Sequence, residues 1–189
     1  MHPYLYDYNG KLIRPLINDK SIIVTELYGY NYKTGETFFQ AVGKTPMQRT
    51  VCKTDKKGRL TTLSAKEGWN KAYFSSDFKK RIDVYSNMTT PPVYPLCEGK
   101  KQTVIEDNTK LKQTLAGTVL PQKEFFTFTT SDGIELNGVI YKPANFDAAK
   151  KYPVIFHQYS GPGSQQVTDS WSMGCMGSGG MFEAMLCQK

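Results

Sequence analysis

One local pattern recurs along the first half of this chain and restricts its fold more than any other feature. A short run of strand-forming residues meets a charged turn that contains glycine and then returns as a second short run. In the first copy the turn is Asn9-Gly10, a dipeptide typical of a type I′ turn, so a β-hairpin is predicted. The three copies cover residues 4–16, 49–64 and 92–107, with turn glycines at 10, 58 and 99.

Two further hairpins are predicted between these copies, one turning at Gly35 within residues 22–42 and one near Asp77 within residues 69–86. The recurring turn glycines stand 48 and 41 residues apart. Four short strands in each such interval are typical of a β-propeller blade. The predicted units are half a blade over residues 4–16, a blade over residues 22–63 and another over residues 69–105.

The number of predicted blades is too small for a closed ring, because propellers close with ~4–8 blades. The chain is therefore expected to hold only the last blades of a larger propeller. The alternative, a small meandering β domain that is complete in itself, stays open.

The pattern changes after residue 105. Leu111 and Leu115 stand at helical spacing, and Gly117 is a stop signal, so a short helix is predicted there. Asp107 or Asn108 is the candidate residue for its N-terminal cap. A domain boundary is placed at residues 118–122, which divides the chain into domains 1–117 and 118–189.

New β structure is predicted in the second domain. Phe126 and Phe128 alternate with threonines before a turn at Gly133, which predicts another hairpin. The apolar run at residues 154–156 predicts a strand covered on both faces. A Gly/Ser-rich loop and a helix over residues 180–189 are predicted to follow.

Composition argues against several classes of protein. No apolar run approaches the ~20 residues of a membrane span. No targeting segment is evident at the N-terminus, so the compartment stays open, an exported or periplasmic parent included. The net charge of +7 is scattered over turns, which argues against a nucleic-acid partner. The four cysteines form no C-x-x-C pair, and neither a metal nor another cofactor is expected.

The sequence shows no complete Ser-His-Asp triad, because no serine stands in a G-x-S-x-G elbow. His157 stands three residues before Ser160 and seven before Ser164, whereas triad partners come from separated elements. His157 is therefore interpreted as a strand residue packed beneath a loop. Tyr159 follows the predicted strand and precedes glycines, where a phenol hydroxyl is able to donate a hydrogen bond to an oxyanion.

Together these stretches resemble the prolyl oligopeptidase family of serine peptidases, in its dipeptidyl peptidase branch. The resemblance covers essentially the whole chain and is most specific at residues 133–171, where N-F-D, K-K-Y-P-V and Y-x-G-P-G-S-Q stand in order. It implies a β-propeller that caps an α/β-hydrolase domain. The expected fold class is therefore mixed, with incomplete all-β propeller blades and a linker helix over 1–117. The first strands and helix of an α/β-hydrolase domain are expected over 118–189.

The resemblance assigns one site residue, Tyr159, to the oxyanion hole. The catalytic serine, aspartate and histidine are expected downstream of this chain, and the glutamates that hold the substrate's amino terminus upstream of it. The implied activity is that of a serine exopeptidase that acts on peptide substrates. It would release N-terminal dipeptides with proline or alanine in second place. The 189-residue chain itself is expected to be inactive, and a homodimer of the full-length protein stays open.

Two alternatives remain. One is a sibling acylaminoacyl or oligopeptidase specificity within the same family, which the presence of paired glutamates upstream would exclude. The other is a non-catalytic propeller module that binds a partner protein, which a G-x-S-x-G motif in the complete gene would exclude.

Overall fold

A computed structural model describes residues 2–159, 161 and 164–171, and β-strands dominate these residues. The described part of the chain forms twelve strands and one helix. The first six strands are β1 (Tyr4–Tyr6), β2 (Leu12–Pro15), β3 (Val24–Asn31), β4 (Glu36–Val42), β5 (Arg49–Thr54) and β6 (Leu60–Thr62). The remaining elements are β7 (Trp69–Phe74), β8 (Lys80–Ser86), β9 (Tyr94–Glu98), β10 (Lys101–Glu106), α1 (Thr109–Ala116), β11 (Gln122–Thr129) and β12 (Glu135–Lys142).

Strands β3 to β10 form two antiparallel meanders of four strands each, β3–β6 and β7–β10. A parallel pairing of β5 with β7, at Arg49 and Trp69, joins the meanders into one eight-stranded sheet. Strands β1 and β2 form a separate hairpin. The two meanders correspond to the four-stranded units predicted for residues 22–63 and 69–105. Their place in a propeller stays a prediction.

The first two turn glycines occupy the same kind of loop, which an aspartate organises. Gly10 N donates to Asp7 O at 3.1 Å, and Gly58 N donates to Asp55 O at 2.8 Å. Each aspartate carboxylate also accepts from the backbone amides two and four residues later, at 2.8 to 3.0 Å. Both glycines have a φ of +77°, whereas Asn9 has no positive φ. The type I′ turn predicted for Asn9-Gly10 is therefore wrong, because the side chain of Asp7 builds a longer loop.

The third turn glycine departs from this pattern. Glu98 pairs with Lys101 across the β9–β10 hairpin, which leaves a loop of two residues. Gly99 comes first in that loop with a φ of +58°. Glycine in first place suits a type II′ turn, so the three similar sequence copies form hairpins with two different loops.

Replacing Gly58 by alanine is expected to destabilise the protein more than the same change at Gly10. Both positions require the same left-handed backbone, which costs an ordinary residue about 1–2 kcal/mol. At Gly58 the added Cβ would also lie 2.4 to 3.0 Å from the carboxamide of Asn18, whereas at Gly10 no atom lies within 4 Å. The Asn18 side-chain amide donates a 2.9 Å hydrogen bond to the Lys57 carbonyl. Moving Asn18 away from the added Cβ would therefore break that hydrogen bond.

The midpoint of denaturant unfolding, measured on both alanine variants of the full-length protein, checks this difference. Adding Asn18→Ala to Gly58→Ala is expected to reduce the loss toward that of Gly10→Ala. Equal midpoints for the two single variants would show that the contact with Asn18 has no effect.

The core of the first meander lies around Phe39 on β4. This side chain is fully buried among Ile17, Val24, Ala41 and Cys52. Phe39 and Ala41 are two positions apart and share one face of the strand, and Cys52 is the cross-strand partner of Phe39 on β5. Residues of three neighbouring strands, β3, β4 and β5, therefore form this core together with Ile17 from the segment that precedes β3.

An unusual backbone conformation occurs in the turn between β7 and β8. Phe78 has a φ of +59°, which is rare for a bulky residue. Its ring stacks on Phe38 with centroids 4.6 Å apart and planes within 9°. The ring also fills the place of a side chain at Gly29, where an added Cβ would lie 2.6 Å from it. The aromatic contact across the sheet thus compensates for the strained turn.

The predicted helix and the later hairpin are both present. Helix α1 begins after Asn108, and the Asp107 carboxylate accepts from the backbone amide of Thr109 at 2.9 Å. Strands β11 and β12 pair along their whole length, with Gly133 in the turn at a φ of +84°. Among the described strands they pair only with each other. The domain boundary at residues 118–122 stays a prediction.

The strand predicted for residues 154–156 is wrong for the described structure. No strand is assigned over residues 151–159. Val154, Ile155 and Phe156 are 84%, 73% and 80% exposed. An apolar run becomes a buried strand only where other elements cover both faces, and no strand of the described part pairs with this run. The predicted helix over 180–189 lies outside the described residues, as do Ser160, Cys175, Ser178 and Cys187.

No helix among the described residues is both long enough and apolar enough to cross a membrane.

Candidate functional site

Tyr159 lies at the end of the stretch that carries no strand, and its side chain is 62% exposed. His157, two residues earlier, is exposed as well. The interpretation of His157 as a residue packed beneath a loop is therefore wrong, because nothing in the described part of the chain covers it. Tyr159 is available to contact a molecule from outside this chain.

A turn follows Tyr159 closely. The carbonyl of Gly161 accepts a hydrogen bond from the amide of Ser164 at 3.1 Å. An added Cβ at Gly161 would lie 2.7 to 2.9 Å from the ring and hydroxyl of Tyr159. The absence of a side chain at Gly161 therefore lets the tyrosine lie against the turn.

The neighbouring serine and histidine do not form a catalytic pair. The hydroxyl of Ser164 accepts from the side-chain Nε2 of Gln166 at 2.7 Å. Among the hydrogen bonds of the described residues, none joins His157 to a serine. The same part of the chain contains no group of three or more His, Cys, Asp or Glu residues able to hold a metal ion.

The chain returns from the Tyr159 turn to loops that connect strands of the eight-stranded sheet through residues 168–171, here called the anchor segment. The carboxylate of Asp169 accepts from the backbone amide of Met88 at 3.0 Å and from the side chain of Gln48 at 3.3 Å. The amide of Asp169 donates to the carbonyl of Met47 at 2.9 Å. One aspartate therefore contacts two loops, one between β4 and β5 and one between β8 and β9.

Trp171 adds further contacts at the end of the anchor segment. Its backbone amide donates to the hydroxyl of Ser86 at 3.3 Å. The ammonium group of Lys123, on β11, lies 5.8 Å from the centre of the Trp171 indole, within cation–π distance. The anchor segment thus contacts both the large sheet and the β11–β12 hairpin.

Burial and charge shift the pKa of groups around the anchor segment. Burial raises the pKa of the Tyr85 phenol, and the nearby Asp169 carboxylate raises it further. Burial also lowers the pKa of the Arg49 guanidinium, whose Cζ atom lies over Trp69 at 4.6 Å from the ring centre. Because its pKa is raised, the Tyr85 phenol stays neutral, and its hydroxyl accepts a hydrogen bond from the side chain of Asn87 at 3.1 Å.

The two cysteines of the described residues are buried free thiols. Burial raises the pKa of Cys52 and of Cys97, and the carboxylate of Asp83 raises that of Cys97 further. A thiol becomes a nucleophile as the thiolate. Cys52 and Cys97 are therefore part of the packing and are poorly suited to catalysis.

Two open clefts of about 300 Å³ each lie on the eight-stranded sheet. The first is lined by aromatic side chains that include Tyr28, Phe74 and Phe78. The second lies beside the β4–β5 loop and includes Gln48 and Arg49. Neither is lined by Tyr159, so the candidate site and the clefts are separate features.

No sequence pattern indicates a role for Asp169 or Gln48. Their side chains meet across 121 positions of the chain, and neither stands in a recognisable motif. Glutamine and aspartate in loops are common solvent-facing residues, so only the folded chain shows that these two face each other.

Comparison with known proteins finds similar sequences along the chain. The family model described as "Dipeptidyl peptidase IV (DPP IV) N-terminal region" matches residues 1–92. A probable dipeptidyl-aminopeptidase B of Chaetomium globosum is 34% identical over 158 residues, which covers 80% of this chain and 17% of that protein.

Two solved structures are similar as well. The crystal structure of Porphyromonas gingivalis dipeptidyl peptidase 4 is 40% identical with a TM-score of 0.82, covering 90% of this chain and 24% of that one. A putative dipeptidyl aminopeptidase IV of Bacteroides ovatus is 28% identical with a TM-score of 0.75, covering 99% of this chain and 27% of that one. The chain thus spans between about a sixth and about a quarter of the length of these relatives.

Proposed function

Because the chain is dipeptidyl peptidase IV-like in sequence and in fold, we propose that it is part of a serine exopeptidase. The proposed reaction is the release of dipeptides from the N-terminus of peptides with proline or alanine in second place. The observation that carries this proposal is the 40% identity and TM-score of 0.82 with a dipeptidyl peptidase 4 over 90% of the chain.

The proposed architecture divides the chain at residues 118–122. Residues 1–117 would supply propeller blades and a linker helix, which the two four-stranded meanders support. Residues 118–189 would begin the α/β-hydrolase domain, and the separate pairing of β11 with β12 is compatible with a new unit there. A homodimer of the full-length protein is part of the same proposal, and sedimentation would test it.

The proposed role of Tyr159 is that of an oxyanion donor. When a serine elsewhere in the full-length protein attacks the substrate carbonyl, negative charge develops on the carbonyl oxygen. The phenol hydroxyl would donate a hydrogen bond to that oxygen and so stabilise the transition state. The exposure of Tyr159 and its position beside a glycine turn support this role, since a substrate must be able to reach the hydroxyl.

The 189-residue chain by itself is proposed to be inactive. It contains no G-x-S-x-G motif, and its two histidines are His2 and His157. Without a nucleophile and its base, an otherwise intact site accelerates hydrolysis only by ~10³–10⁴-fold over water. The proposal therefore places the reaction in the full-length protein.

Hydrolysis of Gly-Pro-p-nitroanilide by the full-length protein tests the proposed function. The full-length protein is expected to release nitroaniline, an active-serine reagent is expected to stop it, and the 189-residue chain is expected to show none. Acetyl-Gly-Pro-p-nitroanilide, which has no free amino terminus, is the matched control and is expected to resist hydrolysis. Faster cleavage of the acetylated compound would favour an acylaminoacyl or oligopeptidase specificity. Absence of both activities would favour a binding module.

A further inference from the structure

We propose that Asp169 is a positioning residue for Tyr159. It ties the chain that returns from the Tyr159 turn to two loops of the eight-stranded sheet and so holds the tyrosine hydroxyl in place. The inference rests on the oxyanion role proposed for Tyr159, and it adds a residue to which the sequence motifs assign no role.

The contacts of Asp169 are suited to a rigid attachment. Its carboxylate uses both oxygens, one toward the Met88 amide at 3.0 Å and the other toward Gln48 at 3.3 Å. Its own amide donates to Met47 at 2.9 Å. Three hydrogen bonds that approach from two loops fix the position and orientation of the residue, and an ionised acceptor makes the two carboxylate bonds stronger than neutral ones.

The β4–β5 loop that receives Asp169 is itself well held. The guanidinium of Arg49 donates to the carbonyls of Pro46 and Gln48 at 2.9 and 2.8 Å, and it lies within cation–π distance of Trp69. The amide of Gly43 donates to the carbonyl of Gln48 at 3.0 Å. These contacts restrict the conformation of the loop to which the anchor segment binds.

The β8–β9 loop is held by its own bonds. Asn87 and Thr90 exchange two backbone hydrogen bonds of 3.3 Å, and the Asn87 side chain accepts from the amide of Thr89 at 3.0 Å. The Met88 amide that donates to Asp169 lies inside this turn. Both partners of the carboxylate are therefore part of locally closed structures.

Tyr159 depends on such an attachment because packing does not hold it. Its side chain is 62% exposed, and the three apolar residues at 154–156 before it are exposed as well. Asp169 follows only ten residues later, so fixing it removes much of the conformational freedom of the turn between them. Loss of the Asp169 contacts is expected to displace Tyr159. A misplacement of about 1 Å remote from the chemistry can cost ~10²-fold in rate, so the rate is expected to fall as well.

Gln48 offers a second way to disturb the same attachment. Its Oε1 atom is buried and has no hydrogen-bond partner in the described part of the chain, whereas its Nε2 atom donates to Asp169. Gln48→Glu would place a second carboxylate against that of Asp169, and two like charges at this distance repel each other. The double variant Gln48→Glu with Asp169→Asn restores the hydrogen bond with its direction reversed. The side-chain amide at position 169 then donates to the carboxylate at position 48.

The test compares kcat and KM of the full-length protein on Gly-Pro-p-nitroanilide. Asp169→Ala and Gln48→Glu are each expected to lower kcat about 10-fold, within the range that misplacement produces, with KM little changed. The exchanged pair is expected to recover most of the loss. Asp147→Ala is the control, because within the described part of the chain the Asp147 carboxylate binds only the nearby Ala149 amide and Lys150. It is expected to leave kcat unchanged.

A double-mutant comparison shows whether the effect passes through Tyr159. In a Tyr159→Phe background the Asp169→Ala change is expected to lower kcat by less than about twofold, because coupled residues show non-additive losses. An equal fold-loss in both backgrounds, or failure of the exchanged pair to recover activity, would overturn the positioning role.

Hydrogen exchange separates this inference from the proposed function. The backbone amides of Met88, which donates to Asp169, and of Ser164, which donates to Gly161 in the Tyr159 turn, are expected to exchange faster in Asp169→Ala than in Asp147→Ala, whether or not the protein hydrolyses the anilide. A protein without activity but with this difference in exchange would contradict the proposed function and leave the attachment supported. Unchanged exchange would overturn the attachment itself.

Discussion

Replacing Tyr159 by phenylalanine in the full-length protein is expected to lower kcat by ~10²–10³-fold, the usual loss for one oxyanion donor. The substitution removes only the phenol hydroxyl, so the contact of the ring with Gly161 remains. KM is expected to change little, because the lost hydrogen bond forms only in the transition state. Steady-state kinetics on Gly-Pro-p-nitroanilide, with a melting curve of the same variant, measure both effects.

Tyr152→Phe is the matched control for this experiment. The Tyr152 hydroxyl accepts from the backbone amide of Asp147 at 3.0 Å, which is a structural bond in the same segment of the chain. Its removal is expected to lower the melting temperature slightly and to leave kcat within about threefold. If Tyr159→Phe instead lowers the melting temperature and changes kcat by less than about threefold, Tyr159 is a structural residue of the turn.

Replacing Phe39 by alanine is expected to destabilise the β3–β6 meander by about 3–5 kcal/mol, the usual cost of emptying a buried phenylalanine site. Phe39 is fully buried, and its neighbours come from β3, β4 and β5 and from the segment before β3. They belong to a hydrogen-bonded sheet and are not free to collapse into the space. Hydrogen exchange of β4 and β5 in the full-length protein reports this loss without assuming that the whole molecule unfolds in one step.

Phe128→Ala is the control for the core substitution. Phe128 is 43% exposed on β11, in a hairpin that does not pair with the meander among the described strands. It is expected to change the exchange of β4 and β5 by no more than about 0.5 kcal/mol, as surface substitutions usually do. Similar losses for both variants would mean that Phe39 is not the centre of the core.

The hairpins were predictable because the residues that form their turns are local. Gly35, Gly58 and Gly133 adopt positive φ angles at the positions where the sequence predicted turns. Glycine alone takes such angles without strain, so a glycine between two strand-like runs indicates a turn with a physical cause. The turn at Asn9-Gly10 shows the limit of this reasoning. The dipeptide predicted the position, but the Asp7 side chain decided the type of loop.

The two four-stranded units were predictable for a related reason. Consecutive antiparallel strands joined by short loops pair with their neighbours in sequence, so the order of strands within each meander follows from the turns. The single parallel pairing of Arg49 with Trp69, which joins the meanders, has no such local signal. It depends on how two finished units approach each other.

The run at residues 154–156 shows where composition alone misleads. Burial of three consecutive apolar residues would be favourable, but their sequence does not show which element will cover them. In the described structure Val154 and Phe156 are at least 80% exposed, because no other described strand lies beside them. The same limit applies to His157, which the sequence suggested was covered and the structure leaves exposed.

The sequence by itself determined where the hairpins of residues 4–142 turn, where α1 lies and which tyrosine stands before the glycine turn, because these features depend on neighbours a few positions apart. Only the tertiary structure decided that Phe78 fills the space beside Gly29 and that Asp169 meets Gln48 and Met88. Such contacts join residues that are tens of positions apart or more. They form only when strands, loops and the returning chain have taken their places, so no local pattern records them.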